Sequence, residues 1–96
     1  MSTFRPADGF TITWTETVKA LVAAEVACNP DFAHYWDDLI IRLKFTAHTD
    51  GWSDDRLGKG CRMFVSEAIP GTTRPRMVII YRALGDQVRI RLLRIS

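Results

Sequence analysis

One stretch, Arg76 to Ile95 (RMVIIYRALGDQVRIRLLRI), leaves this chain few folds to choose from. Two runs rich in Val, Ile, Leu and Tyr flank Gly85-Asp86, a dipeptide suited to a two-residue hairpin turn. Alternation at period two places Met77, Ile79, Tyr81 and Ala83 on one face of the first strand. Arg76, Val78, Ile80 and Arg82 fall on the other. In the second strand Val88, Ile90 and Leu92 share a face, and Arg89 and Arg91 point away from it. Such a pair is half-buried: other elements must cover the apolar face, while the arginine-bearing face stays open. That open cationic face is the strongest functional signal in the sequence.

Charge is divided along the chain. Residues 1–55 carry four basic and nine acidic groups, a net of −5, and residues 56–96 carry nine basic and two acidic, a net of +7. The formal total of +2 conceals this asymmetry. Seven arginines and no lysine follow Cys61. Arginine is the residue suited to forked contacts with phosphate and carboxylate, so the basic half predicts a polyanion or an acidic protein as partner. The plainer alternative is that these arginines only keep one sheet face soluble.

A length of 96 residues with 47% hydrophobic content suits a single domain spanning 1–96 with one core. No apolar run approaches the ~18 residues of a membrane span, and the start lacks a signal-peptide pattern. With only Cys28 and Cys61, the expectation is a cytoplasmic protein with reduced thiols.

Upstream of the hairpin, residues 1–9 read as a loose lead-in. Phe10, Ile12 and Trp14 alternate with threonines, predicting a short half-buried strand. Thr13 and Glu16 have capping-box spacing, with Thr15 as an alternative cap, and predict a helix with the stripe Val18, Leu21, Val22 and Val26. Asn29-Pro30 ends it and opens a second helix, with Asn29 as cap, running to about Ala47. Its stripe of Phe32, Trp36, Leu39, Ile40 and Leu43 predicts packing of Trp36 and Leu39 on Ile79, Tyr81 and Ile90. The short break makes the two helices an antiparallel hairpin covering the apolar sheet face. Residues 48–60 read as a loop in which Trp52 is either a lid over the core edge, the favoured reading, or an exposed anchor. Residues 61–69 predict a further strand, then a turn at Pro70-Gly71. The expected class is α+β: a strand, an antiparallel helical hairpin, then a three-stranded antiparallel meander.

Motifs for specific chemistry are sparse. His34 and His48 lie fourteen residues apart with no partner at ligand spacing, so no metal or other cofactor is expected. Gly58-Lys59-Gly60 is not a phosphate-binding loop motif, and no nucleophile motif frames Ser53 or Ser66. Metal-free phosphodiester cleavage needs a cationic site and a group that moves a proton. Lys59, Arg62, Arg76, Arg82 and Arg91 serve the first need; for the second, only Lys59, His48 and Tyr81 lie near in sequence, and Tyr81 falls on the core face. The candidate binding set is Arg62, Arg76, Arg82, Arg89 and Arg91, with Lys59 and His48 as the catalytic candidates.

RMVIIYRALGDQVRIRLLRI is similar to the closing hairpin of the RelE/ParE superfamily, the small toxins of bacterial type II toxin–antitoxin systems. The upstream NPDFAHYWDDLIIRL helix and the LGKGCRMF lead into the middle strand resemble that family too, so the likeness spans most of residues 10–95. The resemblance implies a helical hairpin covering one sheet face, a working open face and an acidic antitoxin as partner. It also implies one of two activities: RelE-like members cut mRNA on the ribosome with Arg, Lys and Tyr groups, and ParE-like members poison DNA gyrase. This chain departs from the RelE pattern. It ends at Ser96, before the late Arg and terminal-helix Tyr, and shows Met63, Phe64 and Val65 where lysines are usual. The departures favour ParE-like poisoning, without enzymatic activity, over ribosome-dependent mRNA cleavage. Two other readings stand beside a toxin: a non-toxic nucleic-acid- or protein-binding module of the same fold, and a small adaptor whose target meets the Trp52 loop.

Overall fold

The computed structural model describes residues 9–53 and 55–96. In chain order the elements are β1 (Thr11–Trp14), α1 (Glu16–Cys28), α2 (Phe32–Thr46), β2 (Trp52–Ser53), a 3₁₀ turn (Asp55–Leu57), β3 (Cys61–Ser66), β4 (Met77–Leu84) and β5 (Gln87–Ile95). The strands form one mixed sheet in the order β1-β5-β4-β3-β2. The α+β class stands, but the sheet has five strands where a separate strand and a three-stranded meander were expected. β1 joins the meander because the TITW alternation pairs in parallel with β5, Thr11 to Trp14 opposite Gln87 to Ile90. β2 joins at the far edge, Trp52 opposite Met63 and Ser53 opposite Arg62. Apart from Gly9, the lead-in over residues 1–9 lies outside the described residues. Among the described residues no helix is long and apolar enough to cross a membrane.

Each helix starts where local chemistry satisfies its free amides. Thr15, not Thr13, caps α1: its Oγ1 accepts from the Val18 amide at 3.3 Å, while Thr13 is occupied in β1. Asn29 does not cap α2 with its side chain, because its Nδ2 donates to the Thr73 carbonyl at 2.9 Å. The backbone turn 29–31 opens that helix instead, with the Phe32 amide on the Asn29 carbonyl at 2.9 Å. Asn29, Asp31 and Tyr35 all meet Thr73, so the 70–76 connection is tied to the bend between the helices. β3 ends at Ser66, three residues earlier than expected. Its last partner is Met77, and Pro75 just before has no N–H to extend the ladder.

One core joins helices and sheet. Val18, Phe32, Trp36, Leu39 and Leu43 meet Phe64, Met77, Ile79, Tyr81, Val88, Ile90 and Leu93, all buried. Trp36 lies edge-on to Trp14 at 5.7 Å and stacked on Phe32 at 6.3 Å. Full burial of each large apolar side chain is worth about 1.5–3 kcal/mol, so this cluster supplies most of the driving force. Leu21 departs from the expected stripe: it is 42% exposed. It lines a groove with Ala24, Cys28, Leu93 and Ile95 on the helix side of the sheet.

The second departure changes the functional face. Leu92 is not on the core face; it is 46% exposed, and Leu93 takes the core position at 5%. The cause is a register shift at Ile80/Tyr81: Tyr81 faces Ile90 and Ile80 faces Leu92, leaving Arg91 as the extra residue. An unbroken ladder would have aimed Leu92 and Arg94 inward and Leu93 and Ile95 outward, putting a guanidinium in the core. One inserted residue reverses the phase and brings both apolar groups in.

Candidate functional site

The face of the sheet away from the helices is read from the register. One row runs Cys61, Arg82, Arg89 and Thr13 across β3, β4, β5 and β1. The next runs Trp52, Met63, Ile80 and Leu92 from β2 to β5, and a third runs Val65, Val78 and Arg94. The open face is therefore an apolar band bracketed by arginines, not a uniformly basic surface. Trp52 is 48% exposed, so it lies open on this face rather than closing over the core edge. The turn 55–60 covers one end: Cys61 is 2% exposed, and its amide donates to the Gly58 carbonyl at 3.1 Å.

The structure divides the sequence-derived arginines. Arg82 and Arg89 stand opposite one another on the open face, and Arg89 donates to Thr13 Oγ1 at 3.3 Å. Arg76 lies at the sheet end, its Nε 3.3 Å from Glu67 Oε2, so its charge is partly neutralised. Arg91 occupies the exposed bulge instead of alternating with Arg89. Arg62 is not on the open face. It pairs with Tyr81 and reaches to the helix side, donating to the Asp50 carbonyl at 2.7 Å and the Gly51 carbonyl at 3.2 Å. Strand parity is the reason: Arg62 alternates with Met63, which takes the outward position opposite Trp52. Arg94 and Leu92 belong to the open face but were missed, and Trp52 takes the exposed position of its second reading instead of the favoured lid. The adjacent Leu92-Leu93, breaking a period-two pattern, was the available signal of a phase change.

Neither His48 nor Tyr81 reaches that face. His48 sits against Phe10, ring centroids 5.8 Å apart, on the helix side. Tyr81 is fully buried, its hydroxyl donating to the Ala47 carbonyl at 2.6 Å and the Asp50 carbonyl at 3.0 Å. Burial pushes the Tyr81 phenol up to about 12 against the opposing pull of Arg62, so it stays protonated. Lys59 is exposed at the margin of the face, next to Gly60, whose carbonyl accepts from the Ala83 amide at 3.3 Å. Among the described residues no three His, Cys, Asp or Glu side chains gather as a metal set.

A polar cluster on the helix side fixes Trp52. The Asp50 carboxylate takes both ends of the Arg42 guanidinium at 3.0 Å and the Thr46 hydroxyl. Burial pushes this carboxyl up, but the bonds from Arg42 and Thr46, with the charges of Arg42 and Arg62, hold it below its ordinary range. Arg42 also lies over the Phe64 ring at 4.7 Å. Together with Tyr81 and Arg62, these contacts secure residues 47–51 and set Trp52 opposite Met63.

Comparison with protein-family profiles, curated proteins and solved structures finds no match to this chain.

Proposed function

We propose that this chain is a RelE/ParE-type toxin that acts by docking its open sheet face on a macromolecular target, held in check by an acidic antitoxin. The helical hairpin on one sheet face and the arginines on the other, Arg89 and Arg94 exposed and Arg82 half-buried, support this reading. The observation that carries it is the make-up of that face: Arg82, Arg89 and Arg94 share it with no carboxylate, imidazole or phenol at the described strand positions. Positioned proton transfer supplies about 10²–10⁴-fold of rate in general acid–base catalysis. Arginine holds its proton at physiological pH and is a poor shuttle. The face is thus suited to binding and blocking, as in ParE-like poisoning of gyrase on DNA, more than to RelE-like cleavage of ribosome-bound mRNA. Lys59 is the one proton-transfer candidate left at its margin.

The test is tightly controlled induction in a bacterium, alone and with a neighbouring gene for an acidic protein. Growth arrest relieved by that neighbour, with inhibited gyrase supercoiling and intact mRNA in primer extension, is the expected result. Discrete cuts within translated codons, abolished by Lys59→Ala, would replace docking by catalysis. Absence of any growth defect would leave a binding module and end the toxin reading.

A further inference from the structure

Resting on the reading of the open face as the working face, we propose that its partner there is a protein surface carrying an apolar ridge flanked by carboxylates, with Trp52 and Leu92 as the anchors. The band Trp52, Met63, Ile80, Leu92 crosses four strands in register, with neighbours about 5 Å apart. Its two ends are the most exposed members, Trp52 at 48% and Leu92 at 46%. Arg82 and Arg89 border it on one side and Arg94 on the other. Among the described residues Arg82, Arg91 and Arg94 have no ion-pair partner. An apolar centre with Trp and Met, inside a rim of arginines, is the anatomy of a protein–protein contact.

Both anchors are placed by specific features of the backbone that also serve the core. Leu92 faces outward because of the bulge at Arg91, and bulges re-aim side chains in this way. Trp52 follows Gly51, whose carbonyl is held by Arg62, and Asp50, whose carbonyl is held by Arg62 and Tyr81. Backbone held in place before binding leaves less entropy to be lost on association.

Charge selects the partner. A two-fold contact of this face with itself would set arginines against arginines, so the complement is acidic. A nucleic acid is the poorer complement, since single-strand sites combine a continuous cationic track with several aromatic platforms. Here the middle is aliphatic with one aromatic, and phosphates laid across Met63, Ile80 and Leu92 would lose water without gaining a donor.

The experiment uses the full chain and three fluorescent probes: a helical peptide with a leucine ridge flanked by glutamates, a short single-stranded RNA and a short DNA duplex. Anisotropy is read for the unaltered protein, Trp52→Ala, Leu92→Asp, Arg82→Gln and the control His34→Ala on α2, each checked for its melting transition. The expected result is saturable peptide binding, weakened about thirtyfold by Trp52→Ala or Leu92→Asp and unchanged by His34→Ala. Raising salt from about 50 to 200 mM should weaken it by less than about tenfold, against about 10³-fold or more for a contact with many phosphates. Tighter RNA or DNA binding that ignores Leu92→Asp overturns the proposal, as does an absence of peptide binding. Self-association in sedimentation that Leu92→Asp abolishes overturns it in favour of a second copy. Growth inhibition is scored separately, so a non-toxic protein that binds the peptide refutes the toxin reading and leaves this proposal standing.

Discussion

Gly51 lies so close to Met63 that a Cβ added to it would stand 2.0 Å from the Met63 carbonyl oxygen. Its φ of 65° is also in the left-handed region, so glycine is required twice over at this point. This approach seats the short strand β2 on β3 and puts Trp52 opposite Met63. Gly51→Ala is therefore expected to destabilise the fold by about 2–4 kcal/mol or to release β2 from the sheet. Urea titration gives the first outcome, and amide exchange at Trp52 and Met63 gives the second. An unchanged midpoint with unchanged protection would show that the approach is looser than the geometry requires.

Tyr81 ties the sheet to residues 47–51 through the Ala47 and Asp50 carbonyls. Tyr81→Phe keeps the ring in the core and removes both bonds; the Asp50 carbonyl retains Arg62, and that of Ala47 loses this donor. The expected cost is about 1–3 kcal/mol. The pH behaviour is a sharper test. The folded phenol titrates at about 12, above its ordinary value of 10.0, so folding favours the neutral form. Its contribution is fully present below pH 10.0 and is lost as pH rises towards 12. Stability of the unaltered protein should fall more steeply across that window than stability of the Phe variant. Parallel curves would mean that the phenol is not the titrating contributor.

Asp50 gives the opposite dependence at the acid end. Its carboxyl is held below the ordinary value of 3.8, so its contribution is complete above that value and disappears as pH falls through the lowered folded value. Arg42 is 57% exposed on its side chain, so solvent screening limits the pair to about 1 kcal/mol. Asp50→Asn should lower stability by roughly that amount at neutral pH and flatten the loss below pH 3.8. Thermal melts of both proteins across the acid range check it.

The elements with strong local periodicity were legible in the sequence. Phe32, Trp36, Leu39 and Leu43 repeat at helical spacing and are buried, and Met77, Ile79 and Tyr81 alternate and are buried with them. The Gly85-Asp86 turn was legible because left-handed φ at Gly85 needs glycine. What was not legible depended on long-range pairing. Nothing local to Thr11–Trp14 states that it will lie parallel to β5, and nothing local to Trp52 states that Tyr81 and Arg62 will hold the residues before it. Arg62 was misplaced because outward and inward positions of a strand differ by one residue, and the reference point, Trp52 opposite Met63, comes from the fold. Arg82 and Arg89 of the open face were legible; its apolar band was not, because Leu92 reaches it only through the bulge and Trp52 and Met63 only through the pairing of β2 with β3.

The bulge leads to the last prediction. Val88 and Ile90 point inward before it, and Leu93 and Ile95 after it, with Leu92 and Arg94 outward. Removing Arg91 joins these two segments in a single unbroken alternation: Val88 in, Arg89 out, Ile90 in, Leu92 out, Leu93 in, Arg94 out. The partners across β4 need not change, since Ile80 already faces Leu92 and Tyr81 already faces Ile90. Deletion of one residue inside a strand ordinarily inverts every side chain beyond it. Here it should instead preserve the inward set, with stability within about 1 kcal/mol of the parent, a value typical of exposed positions. A substitution comparison fixes the meaning: Leu93→Asp places a charge at a position 5% exposed and should unfold much of the population. Denaturation midpoints, with amide exchange along β5, distinguish the cases. If the deletion proves as damaging as Leu93→Asp, the extra residue is part of what holds β5 on β4, and the phase argument for Leu92 fails with it.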